Sequence, residues 1–364
     1  MPNDNFLAPT QAINHDDSVD EGIRDCLELG SGKSFITFAG AGSGKTYSLK
    51  KALDHLKMRY EAEFSRKGRQ VAVITYTNNA AYEITDRVER NPIFAISTIH
   101  SFCWVSISGF NDDIQKWYLD VIPQKLAHVE AEHARLRGGT KAAEKRERDI
   151  ERYRKKLEWL SQPRVFKYDP NGVNSTPESL SHDDVLKLFA HFLEAKPMMA
   201  ELLLNKHPFI FVDESQDTDK GVINALFGLQ QSHPKRVVIG LFGDTMQRIF
   251  GGGEPQLGKS LPQNWIEFDK QMNHRSARRI VGLGNKIRQA DDQRKQFARI
   301  GSEDGTVCFF LLPHGVSDKE KAEEKIRSIM AETTEDLSWR NTGSEETAIE
   351  LCPKVGDGRH QATF

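Results

Sequence analysis

The chain has 364 residues, which at about 150 residues per domain gives two or three domains and a substantial core. Apolar residues make up 38% and charged residues 28%, a balance that excludes a disordered or fibrous chain. Fifty Lys and Arg against 52 Asp and Glu leave a net charge of −2. That total neither demands nor excludes a nucleic-acid partner, because a basic stripe can hide inside a neutral sum.

Cys26, Cys103, Cys308 and Cys352 lie far apart, with no Cys-x-x-Cys pair and no His at zinc-finger spacing. This argues against a disulfide framework or a zinc site and fits a reducing cytoplasm. The N-terminal residues lack a basic start followed by an apolar core, and no apolar run approaches the roughly 20 residues that span a bilayer. The expectation is a cytoplasmic protein without a membrane partner.

In chain order, the first short segment of note is Gly30-Ser31-Gly32-Lys33-Ser34. It has the letters of a phosphate loop, but a helical stretch precedes it and a strand follows, the reverse of the required order, so it reads as a turn. Five apolar runs then read as buried strands: Phe35 to Ala39, Val71 to Thr75, Ile93 to Ser97, Pro208 to Val212 and Val237 to Phe242. Apolar side chains on both faces suit a parallel sheet covered by helices, an α/β fold. After the first strand, Leu49, Leu53, Leu56 and Tyr60 recur at helical spacing.

Between that strand and that helix lies Ala39-Gly40-Ala41-Gly42-Ser43-Gly44-Lys45-Thr46. Here the order fits the chemistry: glycines let backbone N–H groups turn inward around phosphate oxygens, and the helix N-terminus adds a favourable dipole. Gly40, Ala41, Gly42, Ser43 and Gly44 form the cradle, Lys45 would reach the terminal phosphates, and Thr46 would ligate Mg²⁺.

From about Cys103 to His182 the strand pattern stops and charged helices take over. Arg135 to Leu157 holds ten Lys or Arg against four Asp or Glu, with Glu144–Arg148 and Glu151–Lys155 at i,i+4. This is either a solvated helix laced with ion pairs or a basic face that tracks a phosphate backbone. Lys167 to Pro177 is a turn-rich connector, and helical patterning resumes at Asp183.

The fourth strand runs into Asp213-Glu214-Ser215-Gln216-Asp217-Thr218. Acids at the carboxyl end of a strand lie where ligands bind in open α/β sheets; Asp213 would hold Mg²⁺ and Glu214 would take a proton from an attacking water. The fifth strand ends in Gly243-Asp244-Thr245-Met246-Gln247, where Gln247 would orient water or sense a γ-phosphate. A helix over Ser276 to Arg288, a strand over Thr306 to Leu312 and a charged helix over Lys319 to Met330 follow. No periodicity holds beyond Glu335.

The order of these segments resembles the UvrD, Rep and PcrA family of superfamily 1 DNA helicases. AGAGSGKT resembles motif I, Ile74 to Ala81 (ITYTNNAA) motif Ia, and Ser97 to Phe102 (STIHSF) motif Ib. VDESQDT resembles motif II, GDTMQRIF motif III, and Gln271 to Ser276 (QMNHRS) motif IV. The resemblance implies RecA-like lobes that use ATP and Mg²⁺ for 3′ to 5′ travel on single-stranded or partly duplex DNA. Arg275 then serves as an arginine finger, and His274 stands where the family commonly has an adenine-stacking Tyr. Tyr76, Thr77 and Asn78 would meet DNA, as would His100. From the residues alone, Tyr76 reads as a strand-end core residue and His100 as a loop histidine.

On this basis residues 1–102 and 183–263 form the ATP-binding lobe, 103–182 its helical insertion, and 264–364 a partial second lobe with an irregular tail. Two departures bear on function. Gly251-Gly252-Gly253 replaces a segment that often touches DNA, and nothing resembles motif V or VI, which implies a chain shorter than the family's two full lobes. The principal alternative to a motor is therefore a nucleotide-dependent DNA-binding or regulatory subunit. Some relatives work beside a nuclease in DNA repair or in antiviral defence such as Gabija, so a nuclease or other protein partner is expected. An unrelated phosphate-loop kinase is the remaining class, and motifs Ia and IV count against it.

Overall fold

A computed structural model describes residues 16–172, 174, 176–244, 261–289, 293–312 and 318–340. They form two compact units, one of Asp16–Ala39 with Lys45–Lys270, the other of Gly40–Gly44 with the residues from Gln271 onward.

The larger unit is built on a six-stranded, wholly parallel sheet. Its strands are β1 (Ser34–Ala39), β2 (Val71–Thr75), β3 (Phe94–Thr98), β4 (Phe209–Val212), β5 (Val238–Gly243) and β6 (Trp265–Lys270), in the order β3-β2-β4-β5-β1-β6. The five apolar runs of the sequence are the five strands β1 to β5. Every residue of β1, β2, β4 and β5 is buried, as two-sided coverage requires.

Alternation along each strand divides the core into two layers. Phe35, Val71, Val73, Phe209, Phe211 and Phe242 share one layer with Leu49, Leu53, Leu56, Tyr60 and Phe64. Those last five residues lie on α2 (Lys45–Lys67). Val19 and Ile23 of α1 (Asp17–Cys26) and Ile84 of α3 (Asn78–Arg87) join them. Ile36, Ala72, Ile74, Ile210, Val212, Ile239 and Leu241 face the other layer. It is covered by α4 (Ile99–Ile107), α7 (His182–Ala195), α8 (Pro197–Lys206) and α9 (Lys220–Ser232). On α7 the buried residues Val185, Leu188, Phe189, Phe192 and Leu193 make a single apolar stripe. Helix starts follow local chemistry: Thr77, Thr98, Ser181 and Asp219 each accept a backbone N–H of the first turn of α3, α4, α7 and α9.

The charged insertion is a pair of helices, α5 (Asn111–His133) and α6 (Lys141–Trp159). An aromatic cluster of Trp117, Tyr118, Trp159 and Phe166 anchors it, and the Tyr118 hydroxyl donates to Asp184 of α7 at 3.0 Å. Arg146 pairs with Glu132 and Arg154 with Glu130, so part of the charge ties α6 to α5. The Glu151–Lys155 pair forms at 2.6 Å, whereas Glu144 and Arg148 do not pair. Arg148 stays exposed with no acid partner among the described residues, as do Arg135, Arg137, Lys141 and Lys145, while Lys156 turns inward over the Tyr118 ring. Burial pushes the Lys156 amine down to about 8.

Two features differ from the sequence expectation. Trp265–Lys270 is a sixth strand paired with β1, so the first sheet runs past residue 263. Its alternating, half-buried pattern is that of an edge strand, which carries a weaker apolar signal than a covered one. Conversely, residues 306–312 are not a strand. Phe309 and Leu311 are 86% and 85% exposed, because no neighbouring strand among the described residues takes up their backbone groups, and β-propensity acts only through such pairing.

The smaller unit contains β7 (Met272–Asn273), α10 (Arg278–Arg288), β8 (Phe297–Ala298) and α11 (Lys319–Thr334), followed by one 3₁₀ turn over Leu337–Arg340. Strands β7 and β8 pair in parallel. The Asn285 side chain holds the Gln296 main chain from both sides, accepting from its N–H and donating to its C=O, each at 2.8 Å. No helix among the described residues is long and apolar enough to cross a membrane.

Candidate functional site

Several of the polar residues singled out in the sequence follow the carboxyl ends of the parallel strands. Across the sheet, β3 leads to His100, β2 to Tyr76, β4 to Asp213 and Glu214, β5 to Asp244, and β1 to the Gly40–Gly44 loop. In open α/β sheets this edge is the ligand-binding edge.

Lys45 opens α2 and Glu214 follows β4, 169 positions apart in sequence, yet Lys45 Nζ donates to Glu214 Oε2 at 2.5 Å. Both side chains are at least two-thirds shielded from solvent. Glu214 has φ +52° and ψ +45°, a left-handed conformation that costs a residue with a Cβ roughly 1–3 kcal/mol. It lets the chain turn sharply from β4 into a 3₁₀ turn over Ser215–Asp217. Such strain persists where the surrounding structure fixes it, and here the turn is anchored from both sides, as described below.

Asp213 is buried, its backbone N–H donating to Ile74 O at 2.7 Å. Among the described residues its Oδ1 has no hydrogen-bond partner. Burial pushes its carboxyl up to about 6, against the pull of the Lys45 charge. A buried carboxylate oxygen without a donor is a vacant acceptor that a cation would satisfy. Thr46, in the first turn of α2, offers a hydroxyl at a half-buried position. This all-oxygen donor set fits Mg²⁺, which takes one or two protein ligands and completes its shell with phosphate and water. No group of three or more His, Cys, Asp or Glu among the described residues is arranged to hold a metal unaided.

The loop itself has Gly42 and Gly44 at φ +73° and +79°, a conformation that glycine adopts without steric cost. A Cβ on Gly42 would lie 2.8 Å from Asn273 Oδ1. Within the same compact unit, Asn273 Nδ2 donates to Ala41 O at 2.8 Å, the His274 N–H to Gly42 O at 2.8 Å, and Gln296 Nε2 to Ala41 O at 3.3 Å. Asn273 Oδ1 in turn accepts the N–H groups of Arg275 and Ser276 at 3.1 and 2.8 Å. His274 and Arg275 are exposed. Within the loop, Ser43 Oγ is buried and has no hydrogen-bond partner among the described residues.

Of the residues expected at DNA, Tyr76 is half-buried and burial raises its phenol, with the nearby Asp217 charge adding to the rise. Thr77 caps α3, and Asn78 donates to Asn171 Oδ1 of the insertion at 2.8 Å. His100 is half-buried, its ring edge-on to His182 at 5.3 Å. Burial and the His182 charge hold His100 below the usual imidazole range. Gln247 and Gly251–Gly253 lie outside the described residues, as does the tail beyond Arg340. The segment Gly30–Ser34 is a turn that enters β1, with Gly30 and Gly32 at positive φ, and it does not precede a helix.

Two groups escaped the sequence reading. Gln216 sits inside the quoted VDESQDT segment, but its partners are visible only in three dimensions. Lys270 ends β6 with its side chain 3% exposed, donating to Ser48 Oγ at 2.6 Å near Asp20 (3.7 Å) and Asp16 (3.9 Å). Its one sequence signal is a lysine closing an alternating strand, which marks an edge more often than a buried ion.

With this geometry in view, residues 28–253 match the family model described as an AAA domain. The Gabija protein GajB of Bacillus cereus (strain HuB5-5) is 24% identical, the match covering 76% of this chain and 50% of that protein. The ATP-dependent DNA helicase PcrA of Staphylococcus aureus (strain Mu50 / ATCC 700699) is 25% identical over 81% of this chain and 43% of that protein. Among solved structures, the Pif1 helicase from Candida albicans matches at 14% identity with a TM-score of 0.37, over 77% of this chain and 44% of that one. The chain thus spans about half the length of the curated relatives it matches. It belongs to the AAA-domain family, as a phosphate-loop lobe of RecA-like α/β type related to the UvrD-like superfamily 1 helicases.

Proposed function

We propose that this chain binds ATP with Mg²⁺ and hydrolyses it as a single-stranded DNA motor of UvrD-like type, moving 3′ to 5′. The observation that carries the reading is the convergence of Lys45, the residue that follows the glycine loop in sequence, with Glu214 and the buried Asp213 Oδ1, from segments 169 positions apart.

In this reading the Gly40–Gly44 backbone and Lys45 cradle the phosphates, while the Thr46 hydroxyl and the Asp213 carboxylate hold Mg²⁺. A divalent cation held by these two oxygens would supply positive charge against the phosphate oxygens. Lys45 is the hinge of the scheme, because phosphate oxygens and Glu214 compete for the same ammonium. Phosphate binding draws Lys45 away and leaves the Glu214 carboxylate to accept a proton from the attacking water. His274 stacks on the base, Arg275 stabilises the transferring phosphoryl group, and Gln247 orients the water. Tyr76 stacks on a DNA base beside Thr77, Asn78 and His100. Exposed cations of the insertion, among them Arg135, Arg137, Lys141, Lys145 and Arg148, offer a basic surface to a phosphate backbone. Relatedness to a Gabija protein favours a second protein, a nuclease, as partner.

The test is steady-state ATP hydrolysis with and without single-stranded DNA, using Lys45→Ala and Glu214→Gln. Turnover that DNA stimulates and both substitutions abolish is expected. ATP and DNA binding without turnover would favour a regulatory subunit instead, and turnover indifferent to DNA and to Glu214→Gln would contradict both readings.

A further inference from the structure

We propose that Gln216 is a positioning residue that locks the Glu214 carboxylate to the end of β5, so that the geometry of the proton acceptor depends on this one amide. The inference rests on the ATPase reading and deepens it. Gln216 is 3% exposed. Its Nε2 donates to Glu214 Oε2 at 2.7 Å and to Asp217 Oδ2 at 3.2 Å, and its Oε1 accepts the Asp244 backbone N–H at 3.0 Å. The amide orientation is therefore fixed by its partners. A flipped group would set an N–H₂ against the Asp244 N–H and an oxygen against two carboxylates, losing all three hydrogen bonds.

Glu214 Oε2 thus has two donors, Lys45 Nζ and Gln216 Nε2. When phosphate competes for Lys45, Gln216 is the donor that still holds the carboxylate. The other end of the same amide grips Asp244, where β5 gives way to the segment leading to Gln247. One buried side chain, 28 positions before Asp244 in sequence, therefore ties the acid that follows β4 to the exit of β5. The approach is close enough to require glycine beside it: a Cβ on Gly243 would fall 2.6 Å from Ser215 Oγ and 2.7 Å from Gln216 Oε1. The left-handed Glu214 is held from both sides of its turn by these contacts.

Two substitutions separate the donor from the shape. Gln216→Glu keeps the acceptor for the Asp244 N–H and loses the donor to Glu214; Gln216→Met keeps the length and loses both. In the full chain with single-stranded DNA, each variant should lower kcat for ATP roughly ten- to a hundredfold, the range a misplacement near 1 Å produces, while KM for ATP stays within about threefold. In a Glu214→Gln background the same substitutions should have almost no further effect on the residual rate, because residues acting through one another are not additive. Gly243→Ala should reproduce the fall in kcat. Retention of kcat within twofold in Gln216→Glu and Gln216→Met, or losses that multiply with those of Glu214→Gln, would overturn the role of Gln216 and leave the ATPase reading standing. A wild-type chain without ATP turnover would overturn that reading, and this inference with it.

Discussion

The two compact units bury their residues to very different degrees. In the larger one, β1, β2, β4 and β5 are buried end to end and two apolar layers close over the sheet. Among the described residues of the smaller one only a few apolar side chains are covered, including Met272, Val281, Ile326 and Met330, while Ile300, Phe309 and Leu311 are exposed. The difference shows where placement comes from in each. Asp213 and Glu214 are aimed by a strand that cannot move without opening a core. Arg275 and Ser276 are aimed by a single side chain, Asn273, whose Oδ1 collects their N–H groups. The first arrangement suits groups that must be set to tenths of an ångström, and the second suits groups that adjust.

The largest effect that would break this contrast is a hole in the sheet core. Phe209→Ala removes a wholly buried ring that packs on Tyr60 and Phe64, and chemical denaturation should show a loss of about 3–5 kcal/mol. Hydrogen exchange should give the same ranking without mutation, with the amides of β1, β2, β4 and β5 slowest and those of 299–312 fast. Comparable protection in both would remove the distinction.

Next comes Lys270. Lys270→Ala takes the buried ammonium away from Asp16, Asp20 and Ser48, although Asp20 keeps its pair with Lys51 at 2.8 Å, and about 3 kcal/mol of stability should be lost. A Lys270→Met variant restores the volume but not the charge, so it should recover little of that loss; recovery of most of it would show that the cavity, rather than the missing cation beside buried acids, sets the cost.

A smaller effect depends on pH. Burial pushes His207 down to about 4 from its ordinary 6.5, despite its contact with Gln70 O. The unfolded chain therefore binds the proton more readily than the folded one. His207 contributes no penalty above about pH 6.5, and stability is lost as pH falls from there toward 4. Between pH 7 and pH 5 this group should remove about 2 kcal/mol, measured as the difference in unfolding free energy between wild type and His207→Phe at the two pH values. A difference that does not change with pH would place the imidazole in contact with water. At the bottom of the scale, Phe309→Ser should change stability by less than about 0.5 kcal/mol. A loss of several times that would show the 306–312 segment to be packed.

Most of the fold was legible in the sequence because four strands are covered on both faces and so appear as continuous apolar runs. The same logic separated two similar glycine-lysine segments. Gly30–Ser34 enters a strand and Gly40–Thr46 enters a helix, and only the second order presents backbone N–H groups at a helix start. What was not legible depends on neighbours. Trp265–Lys270 carries only an edge strand's alternation, and residues 306–312 have a strand's composition without a partner strand. Gln216 was unreadable for a related reason, since its task exists only because β4 and β5 lie side by side. The Glu144–Arg148 spacing suits a pair, but no such contact forms and Arg148 stays exposed.

The central claim is that the Gly40–Thr46 loop, with Lys45, is the nucleotide site. Equilibrium titration of the full chain with a fluorescent ATP analogue in Mg²⁺ tests it most directly, comparing wild type, Lys45→Ala and Lys33→Ala. The account predicts saturable binding that Lys33→Ala leaves unchanged and Lys45→Ala weakens at least tenfold. Equal binding by Lys45→Ala and wild type, or an equal loss in Lys33→Ala, would contradict it.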